Sequence, residues 1–137
     1  MARRAVSASE HDEQAAFFQW WAVYARSKGL PAQLCFAVPN SNKIGHMAKN
    51  RFALDAYMKA EGLTPGVADI VMLIARGMWH GLVIEMKVTN RRSKISAVQL
   101  EFLNAAYDGG YLSQIGFGFD GAREIAARYL EGRADSD

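Results

Sequence analysis

The chain has 137 residues, half of them hydrophobic, with 16 basic and 14 acidic side chains and a formal charge of +2. That length suits one domain of about 100–200 residues, and the hydrophobic share excludes a disordered chain. Cys35 is the single cysteine, which excludes an internal disulfide framework and fits a reducing compartment. No apolar run approaches the ~20 residues of a bilayer span. The polar stretch after Arg3 and Arg4 stands where a signal peptide would be apolar. The expectation is one soluble cytoplasmic domain over 1–137, with its core at 9–131, short flexible tails and no membrane contact.

In chain order, Ser7 with Glu10, or Ser9 with Asp12, fits a capping box that opens a helix. Phe17, Trp20, Trp21 and Tyr24 recur at helical spacing on its expected buried face, and Gly29 with Pro31 ends it. Residues 33–38 read as a strand holding Cys35 between Leu34 and Phe36, a setting for a buried, inert thiol. Pro39-Asn40-Ser41-Asn42 closes that strand. Residues 47–61 predict a helix with Phe52, Ala56 and Tyr57 turned inward. After the Thr64-Pro65-Gly66 turn, 68–75 and 82–88 read as an antiparallel hairpin. Ser96 and Gln99 form another capping box, opening a helix with Leu100, Leu103 and Tyr107 on one face. Residues 111–117 predict a strand and 122–130 a last helix. The order implies a mixed α/β domain.

The second hairpin strand places Leu82, Ile84, Met86 and Val88 on one face and Val83, Glu85 and Lys87 on the other. A glutamate and a lysine thus sit mid-strand in an apolar run, where charge is costly unless paired or metal-bound. An ion pair on a solvated sheet face is the simpler alternative. Asp69, just before the first hairpin strand, changes the balance, because the hairpin can bring it to Glu85. Two close carboxylates repel unless a cation lies between them. Magnesium prefers oxygen ligands, and Asp69, Glu85 and the backbone carbonyl of Met86 suit it; Mn²⁺ is expected to substitute. Glu13 extends the first helix's apolar face by one turn and is a candidate third carboxylate, with Glu10 as fallback; a first-turn acid favoured by the helix dipole is the alternative.

Together these residues resemble the VRR-NUC domain, the virus-type replication and repair nuclease branch of the PD-(D/E)XK superfamily. The resemblance runs through Ser9-Glu10 and Glu13-Gln14, Val38-Pro39-Asn40, and Gly62-Leu63-Thr64-Pro65-Gly66-Val67-Ala68-Asp69. It continues through His80-Gly81-Leu82-Val83-Ile84-Glu85-Met86-Lys87, Ser96-Ala97-Val98-Gln99 and Gly110-Tyr111. Ala68 stands where that family usually has a proline, a backbone position and not a ligand. The resemblance implies a restriction-endonuclease-like core, a mixed central sheet flanked by helices. It also implies metal-dependent hydrolysis of DNA, with Asp69, Glu85 and Glu13 as ligands, Lys87 acting on the attacking water or the charged transition state, and Gln99 near the site. It further suggests a bacterial or phage host, branched or junction DNA, and a two-fold homodimer. Phe18, off the main buried stripe, is a candidate partner contact.

Rival readings are a DNA-binding module on the same fold, or a monomeric nickase or exonuclease on simple DNA. Gly116 to Gly121 matches G-x-G-x-x-G, but the residues after it leave no room for the second strand and ribose-binding acid of a dinucleotide site. No nucleotide cofactor is therefore expected. His11, His46 and His80 lack zinc-ligand spacing. Lys43, Lys49 and Arg51, and the loop residues Arg91, Arg92 and Lys94, are the candidate DNA contacts. Replacing Arg91, Arg92 and Lys94 together by alanine should weaken binding to every DNA sequence alike and flatten its salt dependence. Titrations at several salt concentrations check this; an unchanged slope assigns the loop to solvent.

Overall fold

A computed structural model describes residues 9–39, 50–88 and 94–134. The first helix, α1 (Glu10–Lys28), starts where Ser9 accepts the Asp12 N–H at 3.1 Å and Asp12 returns the contact to the Ser9 N–H. Ser9 with Asp12 is therefore the capping box, and Gly29 closes the helix in the left-handed conformation. Phe17, Trp21 and Ala25 are buried, while Trp20 and Tyr24 pack half-buried beside them. Phe18 also packs on this core, edge-on to Phe17, so it is not the free surface expected for a partner.

Strand β1 (Cys35–Ala37) is shorter than expected because Ala32–Leu34 forms a 3-10 turn. The Trp21 indole N–H donates to the Ala32 carbonyl at 2.9 Å, tying that turn to α1. Cys35 is buried, and burial pushes its thiol pKa up to about 12, as an inert core residue requires.

Helix α2 (Arg51–Ala60) begins where the Asn50 side chain accepts the Ala53 N–H. Here the expectation of an inward Phe52, Ala56 and Tyr57 is corrected. Phe52 is 89% exposed and Tyr57 64%, while Leu54 and Met58, one turn apart, take the half-sheltered side. Periodicity shows that a helix has an apolar stripe, but packing decides which stripe faces inward. Residues 47–49 of the expected helix lie outside the described residues.

Strands β2 (Ile70–Met72), β3 (Gly81–Lys87) and β4 (Tyr111–Phe117) complete a sheet of order β1-β2-β3-β4. The first three strands pair antiparallel and β3 with β4 parallel. That parallel pair needs a crossover, which α3 (Ala97–Asp108) provides behind the expected Ser96–Gln99 capping box. The last helix, α4 (Gly118–Leu130), starts earlier than the expected 122. Gly116 explains part of the glycine pattern there: a Cβ on it would meet Ala122 at about 3.0 Å, so its absence lets α4 lie close on β4.

The sheet has a thick and a thin side. Ile70, Met72, Leu82, Ile84 and Met86 pack with α1 and α4 in the main core. Val83 packs with Ala68 and Leu103 under α3. Tyr129 is fully buried, and its hydroxyl donates to the Ile74 carbonyl at 2.6 Å, tying α4 to the chain after β2. Removing that donor leaves a buried carbonyl unpaired, so Tyr129→Phe should cost about 1–3 kcal/mol. Urea denaturation measures it; an unchanged midpoint would mean that the bond adds nothing net.

Candidate active site

The ladder between β2 and β3 pairs Ile70 with Ile84. Continuing that register by one residue sets Asp69 opposite Glu85, on the face that also carries Val83 and Lys87. Both acids are buried, Asp69 at 4% exposure and Glu85 at 2%. Asp69 is clamped: its backbone carbonyl accepts the Val38 N–H and its Oδ2 accepts the Met86 N–H, each at 2.9 Å. The second bond replaces the ladder partner that Met86 loses where β2 ends.

Lys87 and Gln99 close the cluster from the other side. The Gln99 side-chain NH₂ donates to Glu85 Oε1 at 2.8 Å, while its Oε1 accepts from Lys87 Nζ at 3.1 Å and from the Ser96 N–H at 3.0 Å. Lys87 Nζ also stands 3.6 Å from Glu85 Oε1. Gln99 therefore serves the capping box and the polar cluster together. Glu85 Oε2 is buried and has no hydrogen-bond partner among the described residues. Burial first, and then the facing charge of Asp69, push the Glu85 carboxyl up to about 8 against the opposing pull of Lys87; a hydrogen bond from the protonated carboxyl to Asp69 and the charge of Glu10 raise it further.

Glu13 has a different position from the expected one. Its carboxylate accepts the Phe119 N–H and so caps α4, whose own N-cap residue, Phe117, offers no side-chain cap. Of the two acids considered on α1, Glu10 is the one whose charge acts on Glu85. This cap joins residues 106 positions apart, and no local sequence pattern signals it.

The other candidates are scattered. Lys94 is exposed just before α3 and Arg51 opens α2. Lys43, Lys49, Arg91, Arg92 and His46 lie outside the described residues. His11 and His80 are exposed on separate elements, and the described residues contain no group of three His, Cys, Asp or Glu arranged for a metal. Two carboxylates still suit Mg²⁺, which keeps several waters and takes one or two protein carboxylates. The orphaned Glu85 oxygen beside Asp69 fits such a cation.

No protein-family model matches the chain, and no curated protein does. A solved structure described as a VRR_NUC domain protein superposes with a TM-score of 0.71, covering 91% of this chain and 90% of that one at 24% sequence identity. The two share a fold. The four-stranded mixed sheet flanked by helices is thus a VRR-NUC-type α/β architecture. Within it, no helix of the described residues is long and apolar enough to cross a membrane.

The raised carboxyl gives a stability test. Between its ordinary value near 4.5 and about 8, folded Glu85 holds a proton that the unfolded chain has released. Stability from this group is therefore present at low pH and lost as pH rises through that window. Without divalent cations, the Glu85→Gln protein should lose less stability than the unsubstituted chain between about pH 5 and about pH 8. Denaturant midpoints at both pH values measure the difference; equal slopes would contradict the raised carboxyl.

Proposed function

We propose that the chain is a divalent-metal-dependent nuclease that hydrolyses DNA phosphodiester bonds. The observation that carries this is a buried Asp69–Glu85 pair with one carboxylate oxygen unpartnered, bordered by Lys87. The shared fold with a VRR_NUC domain protein supports the same reading.

Asp69 and Glu85 would hold Mg²⁺, or Mn²⁺ in its place, with the Met86 carbonyl as a further oxygen. Such an ion would offset the negative charge of the phosphate and make a bound water a stronger acid. Lys87 directs its ammonium toward the edge of the pair, where it stabilises charge growing on the phosphate oxygens as water attacks in line. Gln99 is a positioning residue, holding Glu85 with its NH₂ and Lys87 with its carbonyl. Glu13 acts through α4, which its carboxylate caps, and Glu10 is the helix acid whose charge reaches the pair. Lys94 and Arg51, with Lys43, Lys49, Arg91 and Arg92 of the neighbouring segments, would hold the DNA backbone without reading sequence.

Branched or junction DNA is the proposed class of substrate. A two-fold pair of chains would supply the two sites that paired cuts in a junction need, though through a contact other than Phe18.

Cleavage should require Mg²⁺ or Mn²⁺ and stop in EDTA. Asp69→Asn and Glu85→Gln should each remove detectable cleavage while the protein stays folded. Lys87→Ala should lower kcat by about 100-fold or more with little change in KM, because its contribution is made in the transition state. Cleavage assays on labelled single-stranded, duplex, flap and four-way DNAs test this. Full activity in EDTA, or near-native turnover by either carboxylate variant, would overturn the mechanism.

A further inference from the structure

A cavity of about 270 Å³ is lined in part by Asp69 of the carboxylate pair and by Gln99, which holds Glu85. Pro39, Leu63, Pro65, Val67 and Val98 give it apolar sides. Thr64 and Ser96 also line it, as does Lys59 of α2, which is paired with Asp55 at 2.9 Å. The cavity is built into the backbone. Gly66 adopts φ 82°, and a Cβ there would collide with the side chain and carbonyl of Val98. The Pro65–Gly66 turn is thus pressed against the first turn of α3, and substitution by any L-residue would force the two walls apart.

We infer that this cavity receives one unpaired nucleotide next to the scissile phosphate, an assignment that rests on the nuclease reading of Asp69 and Glu85. Three features point to that ligand class. The size lies just below the usual range for small-molecule sites, about 300–1,000 Å³, which admits one nucleotide and excludes a duplex. Prolyl and aliphatic walls offer a base flat apolar surface. The Thr64 hydroxyl, which donates to the Gly62 carbonyl, keeps lone pairs for a base donor, and the Ser96 hydroxyl, which accepts the Gln99 N–H, keeps its proton for a base acceptor. Asp69 and Gln99 belong to the cavity and to the polar cluster at once, so a base held here leaves its phosphate at the carboxylate pair. A nucleotide already out of the stack enters directly, whereas a paired one must first be extruded at an energetic cost. The cavity therefore selects single-stranded segments and unpaired junction nucleotides over continuous duplex.

The test separates this site from the chemistry beside it. In the Glu85→Gln protein, trithymidylate should shift the methyl resonances of Val67 and Val98 saturably, and a blunt hairpin duplex should leave them unmoved. Thr64→Trp, a filling change at an exposed position, should abolish the shift. In the otherwise native chain, Thr64→Trp should lower cleavage of single-stranded DNA at least tenfold relative to cleavage of duplex. If Thr64→Trp fails to fold, the response of the unfilled cavity to the two DNAs decides alone. Silent methyl groups with millimolar trithymidylate, or equal shifts with duplex, would overturn the cavity assignment and leave metal-dependent cleavage standing. Absence of cleavage on every DNA would instead overturn the nuclease reading, while the methyl shifts still decide whether the cavity binds a nucleotide.

Discussion

Two carboxylates held opposite one another in a buried sheet face set the terms for this molecule. Register makes the encounter unavoidable: Ile70 pairs with Ile84, so Asp69 must meet Glu85 one step further. Both are withdrawn from water, which makes like charges strongly repulsive and leaves two ways to relieve them. Glu85 can keep a proton well above the ordinary carboxylate range, or a cation can take the proton's place. The first describes the protein without an ion, and the second is the proposed working state. A group that makes the fold less stable near neutral pH is hard to explain by packing, but it suits a ligand site. Sites commonly break the rules that the rest of a fold obeys.

The surrounding architecture holds that arrangement without relaxing it. On the thick side of the sheet, Ile70, Ile84 and Met86 are locked into the main core by α1 and α4. Slippage of β3 by one residue would turn Glu85 and Lys87 into that core and Ile84 and Met86 out of it. On the thin side, the β3–α3–β4 crossover brings the start of α3, and with it Gln99, over the polar end of β3. Glu13 stabilises the start of α4 at the same end of the sheet, since Phe119 lies two residues beyond Phe117, the β4 residue paired with Lys87. An acid on α1 thus helps to fix the neighbouring helix, and its contribution to the site passes through the backbone.

What could be read in advance divides by range. Ser9 with Asp12 and Ser96 with Gln99 lie three residues apart, so their caps are local chemistry and were legible. The hairpin alternation was equally plain, because Val83, Glu85 and Lys87 stand two apart. Phe52 and Tyr57 misled because a helical stripe does not state which neighbour will cover it. The early start of α4 was hidden because its cap comes from Glu13. The cavity was hidden as well: Lys59, Thr64 and Val98 belong to three separate segments, and only the approach of Gly66 to Val98 brings their walls together.

Gln99 shows how local and distant constraints can share one side chain. Its Oε1 accepts from the Ser96 N–H and from the Lys87 ammonium, so the carbonyl must lie on that side. The amide nitrogen is then left facing Glu85, where a carboxylate oxygen can accept. Rotating the amide would set its NH₂ against two donors and its carbonyl against an acceptor, so this orientation follows from the network itself. A helix cap therefore fixes the polarity of the contact that orients Glu85 and Lys87. The glutamate's other oxygen is buried and left out of this network. An uncommitted buried carboxylate oxygen is costly in a finished core. Without an ion, the proton that Glu85 keeps, hydrogen-bonded toward Asp69, offsets that cost, and a cation between Asp69 and Glu85 would take its place.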